Sequence, residues 1–309
     1  MSDTENSTSD TGSWFLSTAR ERLAGLLDPG SFTEFLQPTE RVVSPHLALF
    51  DLPAAFDDGV VIGRGRLEGR EVLVAAQEGQ FMGGTFAEVS GAKLVGLLRA
   101  ARADAKLPRT VLLLLDSGGV RLQEANAGEL AVAEVMRAVV EARAAGVTVV
   151  ALVGGRAGAF GGAGLTAATC SRIVLSEQGR TGVTGPEVIE TNKGVEEFDS
   201  RDKALVWSVT GGRSRRLIGG ADAYADDTVA GFRKTALILM ERAPAFDLAT
   251  LQAEQARLAA RAQRFGACES AAQMWKALAI PDAQSVRNMD DEAFTALVAG
   301  VGGADHDAR

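Results

Sequence analysis

Hydrophobic and polar positions follow two regimes along this chain, one amphipathic and one continuously apolar. In residues 13–27, Trp14, Phe15, Leu23, Leu26 and Leu27 recur roughly at helical spacing, and Asp28-Pro29-Gly30 then supplies a turn, so a helical arm is predicted ahead of the core. Residues 60–67 and 71–77 carry strand-forming side chains and are joined by Glu68-Gly69-Arg70, which predicts an antiparallel hairpin. From Thr110 onward the regime changes. Val111-Leu112-Leu113-Leu114-Leu115 is an unbroken apolar run, expected of a strand buried on both faces of a parallel sheet. Val132, Val135, Met136, Val139 and Val140 then form one helical stripe that stops near Gly146. Residues 147–153 read as a second buried strand, followed by the glycine-rich stretch 154–164, a short helix of small residues and a third strand over 172–175. Successive strand-helix crossovers of this kind imply a sheet covered on both faces. A loop with Gly182 and Gly185-Pro186 follows, and helices are predicted around residues 202–209, 228–241, 248–265 and 270–278.

The ends differ from this pattern. Residues 1–12 and 302–309 are polar, with almost nothing to bury, and are predicted to be frayed tails flanking a single α/β domain over 13–301. The chain of 309 residues, 46% hydrophobic and 23% charged, has the balance of a packed aqueous fold. No apolar run reaches the roughly 20 residues of a membrane span, and no basic segment precedes an apolar one at the start, so a cytoplasmic protein without membrane contact is expected.

Charge and composition remove several chemistries. A net charge of −8 without any block of Lys or Arg argues against nucleic acid as a partner. The two cysteines, Cys170 and Cys268, are too few and too far apart for a disulfide framework or a zinc ribbon, and no metal site is predicted. The two histidines, His46 and His306, leave most of the chain without the usual general base. There is no Gly-Lys-Ser or Gly-Lys-Thr phosphate loop and no Gly-x-Ser-x-Gly nucleophile elbow. Gly63-Arg64-Gly65 falls inside a predicted strand, and the later glycine cluster lacks dinucleotide spacing.

What remains is a pair of glycine clusters, each ending a buried strand and leading into a helix: Ser117-Gly118-Gly119-Val120 and Gly154-Gly155-Arg156-Ala157-Gly158-Ala159-Phe160-Gly161-Gly162. Ends of neighbouring parallel strands face one crevice, where glycine lets backbone N–H groups and helix N-termini approach a ligand. Two amides aimed at one oxygen suit an enolate or tetrahedral oxyanion, as in acyl-thioester chemistry. The same glycines also serve close helix-strand packing and tight turns.

Three motifs occur in order: Phe81-Met82-Gly83-Gly84-Thr85, then Asp116-Ser117-Gly118-Gly119-Val120-Arg121-Leu122-Gln123-Glu124, then Gly185-Pro186-Glu187-Val188-Ile189-Glu190. Together they resemble the carboxyltransferase branch of the crotonase superfamily. With Ser90-Gly91-Ala92-Lys93, Phe160-Gly161-Gly162 and Glu196-Glu197-Phe198-Asp199, the chain is most similar to the beta subunits of biotin-independent malonate decarboxylases, over residues 31–227. The resemblance implies a crotonase-like ββα spiral and decarboxylation of a malonyl thioester borne by an acyl carrier protein on a phosphoribosyl-dephospho-coenzyme A arm, with acetyl thioester and carbon dioxide as products. It further implies a gamma subunit of related fold as partner, no biotin, and no tightly bound cofactor. The zinc ribbon common in acetyl-CoA carboxylase beta subunits is one this chain cannot make.

Loss of carbon dioxide accumulates charge on the thioester oxygen, so amides near Gly119 and Val120 and near Gly161 and Gly162 are the expected catalytic donors. Phe81, Met82, Gly83, Gly84, Gly118, Arg121, Phe160, Gly185 and Pro186 are expected to bind the substrate and its thioester arm. Arg121 has two readings, orienting the arm or pairing with Glu124, and Gly83-Gly84 also reads as a plain turn. The same-class alternative is a carboxyltransferase that passes the carboxylate to biotin, and the alternative of another class is a non-catalytic scaffold. No residue offers itself as proton donor to the enolate.

Overall fold

A computed structural model describes residues 12–49, 51, 59–241, 244–280, 282 and 285–301. Its strands are β1 (Thr33–Phe35), β2 (Val60–Leu67), β3 (Arg70–Gln77), β4 (Thr110–Leu115), β5 (Thr148–Val153), β6 (Ala159–Phe160), β7 (Arg172–Ser176), β8 (Thr181–Gly182) and β9 (Ala223–Ala225). Seven of them form one sheet in the order β1-β2-β3-β4-β5-β7-β9, and β6 pairs with β8 apart from it. The first three are antiparallel and every later pairing is parallel. Leu67 pairs with Arg70, which leaves Glu68 and Gly69 as a two-residue turn. Both have positive φ, 48° and 76°, the geometry that matches strand twist in a tight hairpin. The Asp28 carboxylate accepts from both of their N–H groups, at 2.9 and 2.8 Å.

The helices in chain order begin with α1 (Ala19–Leu26), α2 (Pro45–Leu49), α3 (Glu88–Ala103), α4 (Asn126–Ala144), α5 (Gly162–Thr169) and α6 (Pro186–Lys193). They continue with α7 (Lys203–Thr210), α8 (Gly212–Leu217), α9 (Val229–Met240), α10 (Leu248–Phe265), α11 (Ala271–Ala277) and α12 (Asp291–Val301). The apolar run of β4 shows why the sheet is covered on both sides. Val111, Leu113 and Leu115 enter a core with Leu98 of α3 and Val135 and Val139 of α4, whereas Leu112 and Leu114 enter one with Leu23 of α1 and Phe232 of α9. Each such leucine removes apolar area worth about 1.5 to 3 kcal/mol from water. A third cluster joins Leu217 of α8 to Phe265, Trp275 and Phe294 of α10 to α12.

The hairpin, the buried strands and the two-faced α/β sheet stand where the sequence places them, and the downstream helices differ from prediction by a residue at most ends. Asp202, Thr228 and Ser270 turn out to be N-caps, each accepting an N–H from the first turn. The helix predicted to begin at Ser13 is corrected: it starts at Ala19, behind a Thr18/Glu21 capping box. Tertiary contacts hold the residues before it. Ser13 donates to Asp227 at 2.7 Å, and the Trp14 ring stacks on Phe232 with centroids 4.1 Å apart. The 16-residue α3 was not anticipated. Gly12 apart, the tails lie outside the described residues. No helix of the described residues is long and apolar enough to cross a membrane.

Candidate active site

Neighbouring strands β4 and β5 end at the same edge of the sheet, Leu115 opposite Val153, and the loops that leave them stay paired. Ser117 N–H donates to the Gly158 carbonyl at 2.6 Å, and Phe160 N–H donates to the Ser117 carbonyl at 3.0 Å. This short parallel ladder carries Gly119 alongside Gly161. A Cβ placed on Gly161 would lie 3.5 Å from the Gly119 Cα, and one on Gly119 would lie 3.7 Å from the Phe160 carbonyl oxygen. Their φ angles, 135° and 54°, are ones that side-chain-bearing residues avoid.

The amides of the two loops differ in their partners. Gly119 N–H donates to Ser117 Oγ at 3.2 Å, so it already has an acceptor. Phe86 N–H donates to the Gly119 carbonyl, and Arg121 N–H donates to the Phe86 carbonyl, both at 2.8 Å. In a parallel bridge of this pattern the intervening residue, Val120, turns its own N–H to the opposite side, which is the side of Ala159 to Gly161. Gly162 opens α5, whose first N–H groups have no acceptor within the helix and no side-chain cap. Val120 and Gly162 are therefore the candidate donors of the two loops, with the N-terminus of α5 at Gly162.

Two further loops flank this point. Gly118 N–H donates to the Gly83 carbonyl at 2.9 Å, which fixes the turn Met82–Gly84 beside the β4 loop. Gly84 packs so tightly there that a Cβ would meet the Asp116 carbonyl oxygen at 1.8 Å, while Met82 is exposed. On the other side, the Val183 carbonyl comes within 3.9 Å of a Cβ on Gly161, and Gly182 abuts the buried Phe160 ring. That segment leads to Gly185 and Pro186, the N-cap and first residue of α6. The first two motifs thus meet, and the segment leading into the third passes beside Gly161.

Arg121 is turned inward. Its guanidinium lies 3.0 Å from Glu124, reaches Thr85 Oγ1 at 3.4 Å and stands 5.5 Å from the Phe81 ring centre. Glu124 also accepts Glu88 N–H at 2.8 Å, at the start of α3. Of the two readings of Arg121, the geometry places it in the buried pair.

Several contributors escaped the sequence reading. Asp116, read from the sequence only as the first residue of the second motif, is 2.8 Å from the Arg22 guanidinium, with both side chains buried. It also accepts Ala157 N–H at 2.7 Å, and a Cβ on Gly155 would overlap its carboxylate at 2.1 Å. One carboxylate thereby ties α1 to both glycine loops, and nothing local in the sequence signals that long-range pairing. Arg180 lies over the rings of Phe160 and Trp207, at 5.8 and 4.5 Å. Burial pulls its pKa below the usual arginine value, opposed by Glu187 and Asp116. His46 Nδ1 lies 2.8 Å from Glu88, with Ser44 Oγ 2.9 Å from the same carboxylate. A cavity of about 1060 Å³ lies on the outer side of α5, between α5, α6, α7 and α10. It touches residues 182–184 but is not lined by Gly119, Val120 or Gly161.

The family model described as "Carboxyl transferase domain" matches residues 16–212. The chain is 42% identical over 242 residues to the malonyl-S-ACP:biotin-protein carboxyltransferase of Malonomonas rubra, covering 74% of this chain and 76% of that one. Its structure resembles one from a crystal structure of a Pseudomonas malonate decarboxylase hetero-tetramer in complex with malonate, at 39% identity and a TM-score of 0.76, covering 90% of this chain and 97% of that one. It also resembles the transcarboxylase 12S structure with methylmalonyl-coenzyme A bound, at 27% identity and a TM-score of 0.62, covering 74% of this chain and 42% of that one. The paired glycine loops, the two-faced sheet and these likenesses agree: the chain belongs to the carboxyl transferase domain family of crotonase-like proteins, on the branch that includes the malonate decarboxylase subunits.

Proposed function

We propose that this chain is the decarboxylating beta subunit of a malonate decarboxylase. Its substrate is malonyl held as a thioester by an acyl carrier protein, on a phosphoribosyl-dephospho-coenzyme A arm. The bond between the carboxylate carbon and the methylene carbon breaks, carbon dioxide leaves, and the electron pair moves towards the thioester carbonyl. Val120 and Gly162 N–H groups hold the resulting enolate oxygen, and the helix dipole of α5 adds to them. Protonation of the methylene carbon by water completes the acetyl thioester. The observation that carries this reading is the contact between the Gly119 and Gly161 backbones, which lets two loops aim at one point.

The side chains around that point support positioning rather than proton transfer: Arg121 is held by Glu124, and Asp116 by Arg22. The reading includes a crotonase-like gamma subunit beside this chain, cytoplasmic location and no biotin. A second reading is favoured by the Malonomonas relative, whose name describes transfer to a biotin protein. Release of carbon dioxide from malonyl carrier by the reconstituted complex, with and without a biotin carrier domain, separates them. Release that needs no biotin carrier supports the proposal, and release strictly dependent on it supports the second reading.

A further inference from the structure

The cavity on the outer side of α5 holds a cation without a counterpart. Arg215 of α8 lines it, and its Nε is buried with no hydrogen-bond partner. Among the described residues its side chain makes neither an ion pair nor a hydrogen bond. The charge that acts on it is another cation, Arg261 of α10, which donates to the Gly219 carbonyl at 2.9 Å and also lines the cavity. Burial of Arg215 and repulsion by Arg261 both lower its pKa, the direction expected of a cation kept where an anion belongs. Arg215 as a whole is half-buried, but a buried guanidinium N–H without an acceptor is costly, and folded proteins keep one mainly where a ligand completes it.

The rest of the cavity fits an organic ligand rather than a bare ion. Its volume, about 1060 Å³, is at the upper end of small-molecule pockets, which hold about 300 to 1,000 Å³. Leu165, Val183 and Leu258 give it apolar walls, and Ser208 and Thr210 add hydroxyl groups.

We infer that this cavity is a binding site for an organic anion, a phosphate ester or a carboxylate, whose charged end sits on Arg215 with Arg261 beside it and whose apolar body lies against α5. The site is separate from the glycine loops, so the inference stands whether or not the chain decarboxylates malonyl thioester. Because residues 182–184 border both the cavity and Gly161, an occupant can alter the loop that flanks the active site.

The test is calorimetric titration and thermal unfolding of the full chain, in complex with its partner subunit where one co-purifies, at constant ionic strength. Inorganic phosphate and malonate are the probes and chloride is the reference. Saturable binding of either probe is expected, and the one that binds more tightly assigns the charged end as phosphate or carboxylate. Arg215→Gln should weaken that binding about tenfold or more, as for loss of a charge-assisted hydrogen bond, with Arg215→Lys intermediate. Without ligand, Arg215→Gln should melt no lower than the native chain, because it removes a half-buried charge that has no ion-pair partner among the described residues. Arg261→Gln provides a second variant and should weaken binding less. Absence of saturable binding by both probes, or equal affinity in the native chain and both Gln variants, overturns the inference.

Discussion

Arg22 and Asp116 form a buried ion pair, 2.8 Å apart, at the root of the loop that carries Gly119. Removing one partner of such a pair strands the other charge, which costs about 3 to 5 kcal/mol. Arg22→Met should therefore lower the unfolding free energy by about that amount in a denaturant titration. Asp116→Ala should cost more, because Ala157 N–H loses its acceptor as well. A loss under about 1 kcal/mol for Arg22→Met would mean that the pair does not hold the loops.

Gly119→Ala and Gly69→Ala separate backbone strain from chemistry. Both glycines have positive φ, 135° and 76°, and each alanine should cost about 1 to 3 kcal/mol in stability. A Cβ at Gly69 meets nothing within 4 Å, whereas one at Gly119 points into the space shared with Phe160 and Gly161. Only Gly119→Ala should lower carbon dioxide release per folded molecule. Equal rates for the two variants would remove the Gly119 loop from the reaction.

Much of this architecture was legible because burial leaves a signature in sequence. Leu112 and Leu113 face opposite cores, so the β4 run had to be apolar throughout. Helix α3 was missed although Leu94, Leu97, Leu98 and Ala101 lie at helical spacing, because Gly91 and Gly96 interrupt its pattern. Gly91 is there for packing, since a Cβ would meet Ala131 of α4 at 2.4 Å. The glycine loops were legible as motifs, but the amide of Gly119 was not distinguishable from that of Val120. Only the bridge to Phe86 and the Ser117 hydroxyl decide which one is already paired. The roles of Asp116 and Arg22 depend on two residues far apart in sequence, which no local pattern encodes.

Arg121 and Glu124 should be strongly coupled. Both side chains are buried, and Glu124 joins Arg121 to the first amide of α3. A double-mutant cycle with Arg121→Met and Glu124→Gln should give a coupling energy of about 1 to 3 kcal/mol in stability. Additive effects would mean that Glu124 does not hold Arg121 in place.

Asp227 sets a pH dependence for the docked N-terminal segment. Burial raises its pKa above the ordinary aspartate value, against hydrogen bonds from Ser13, Phe15 and Ser176 that lower it. The folded state therefore binds the proton more tightly than the unfolded state. The stability this gives is fully present below the unfolded pKa and is lost as pH rises through the folded one. Thermal melts of the native chain and Asp227→Asn should diverge as pH rises above about 3.8, with the variant gaining relative to the native chain. A constant difference from pH 3 to 7 would contradict this.

The most direct test of amide catalysis is the Gly162 N–H. Proline is tolerated at the first position of a helix and removes that donor. A Cβ at Gly162 would meet Val132 Cγ2 at 2.3 Å, so Val132→Ala is the background in which to place it. Carbon dioxide release from malonyl carrier by Val132→Ala and by Val132→Ala/Gly162→Pro, each in the reconstituted complex, is the measurement. If two amides hold the enolate oxygen, the double variant folds with its complex intact and is about a hundred- to thousandfold slower than the single one. Equal rates in the two proteins would contradict it.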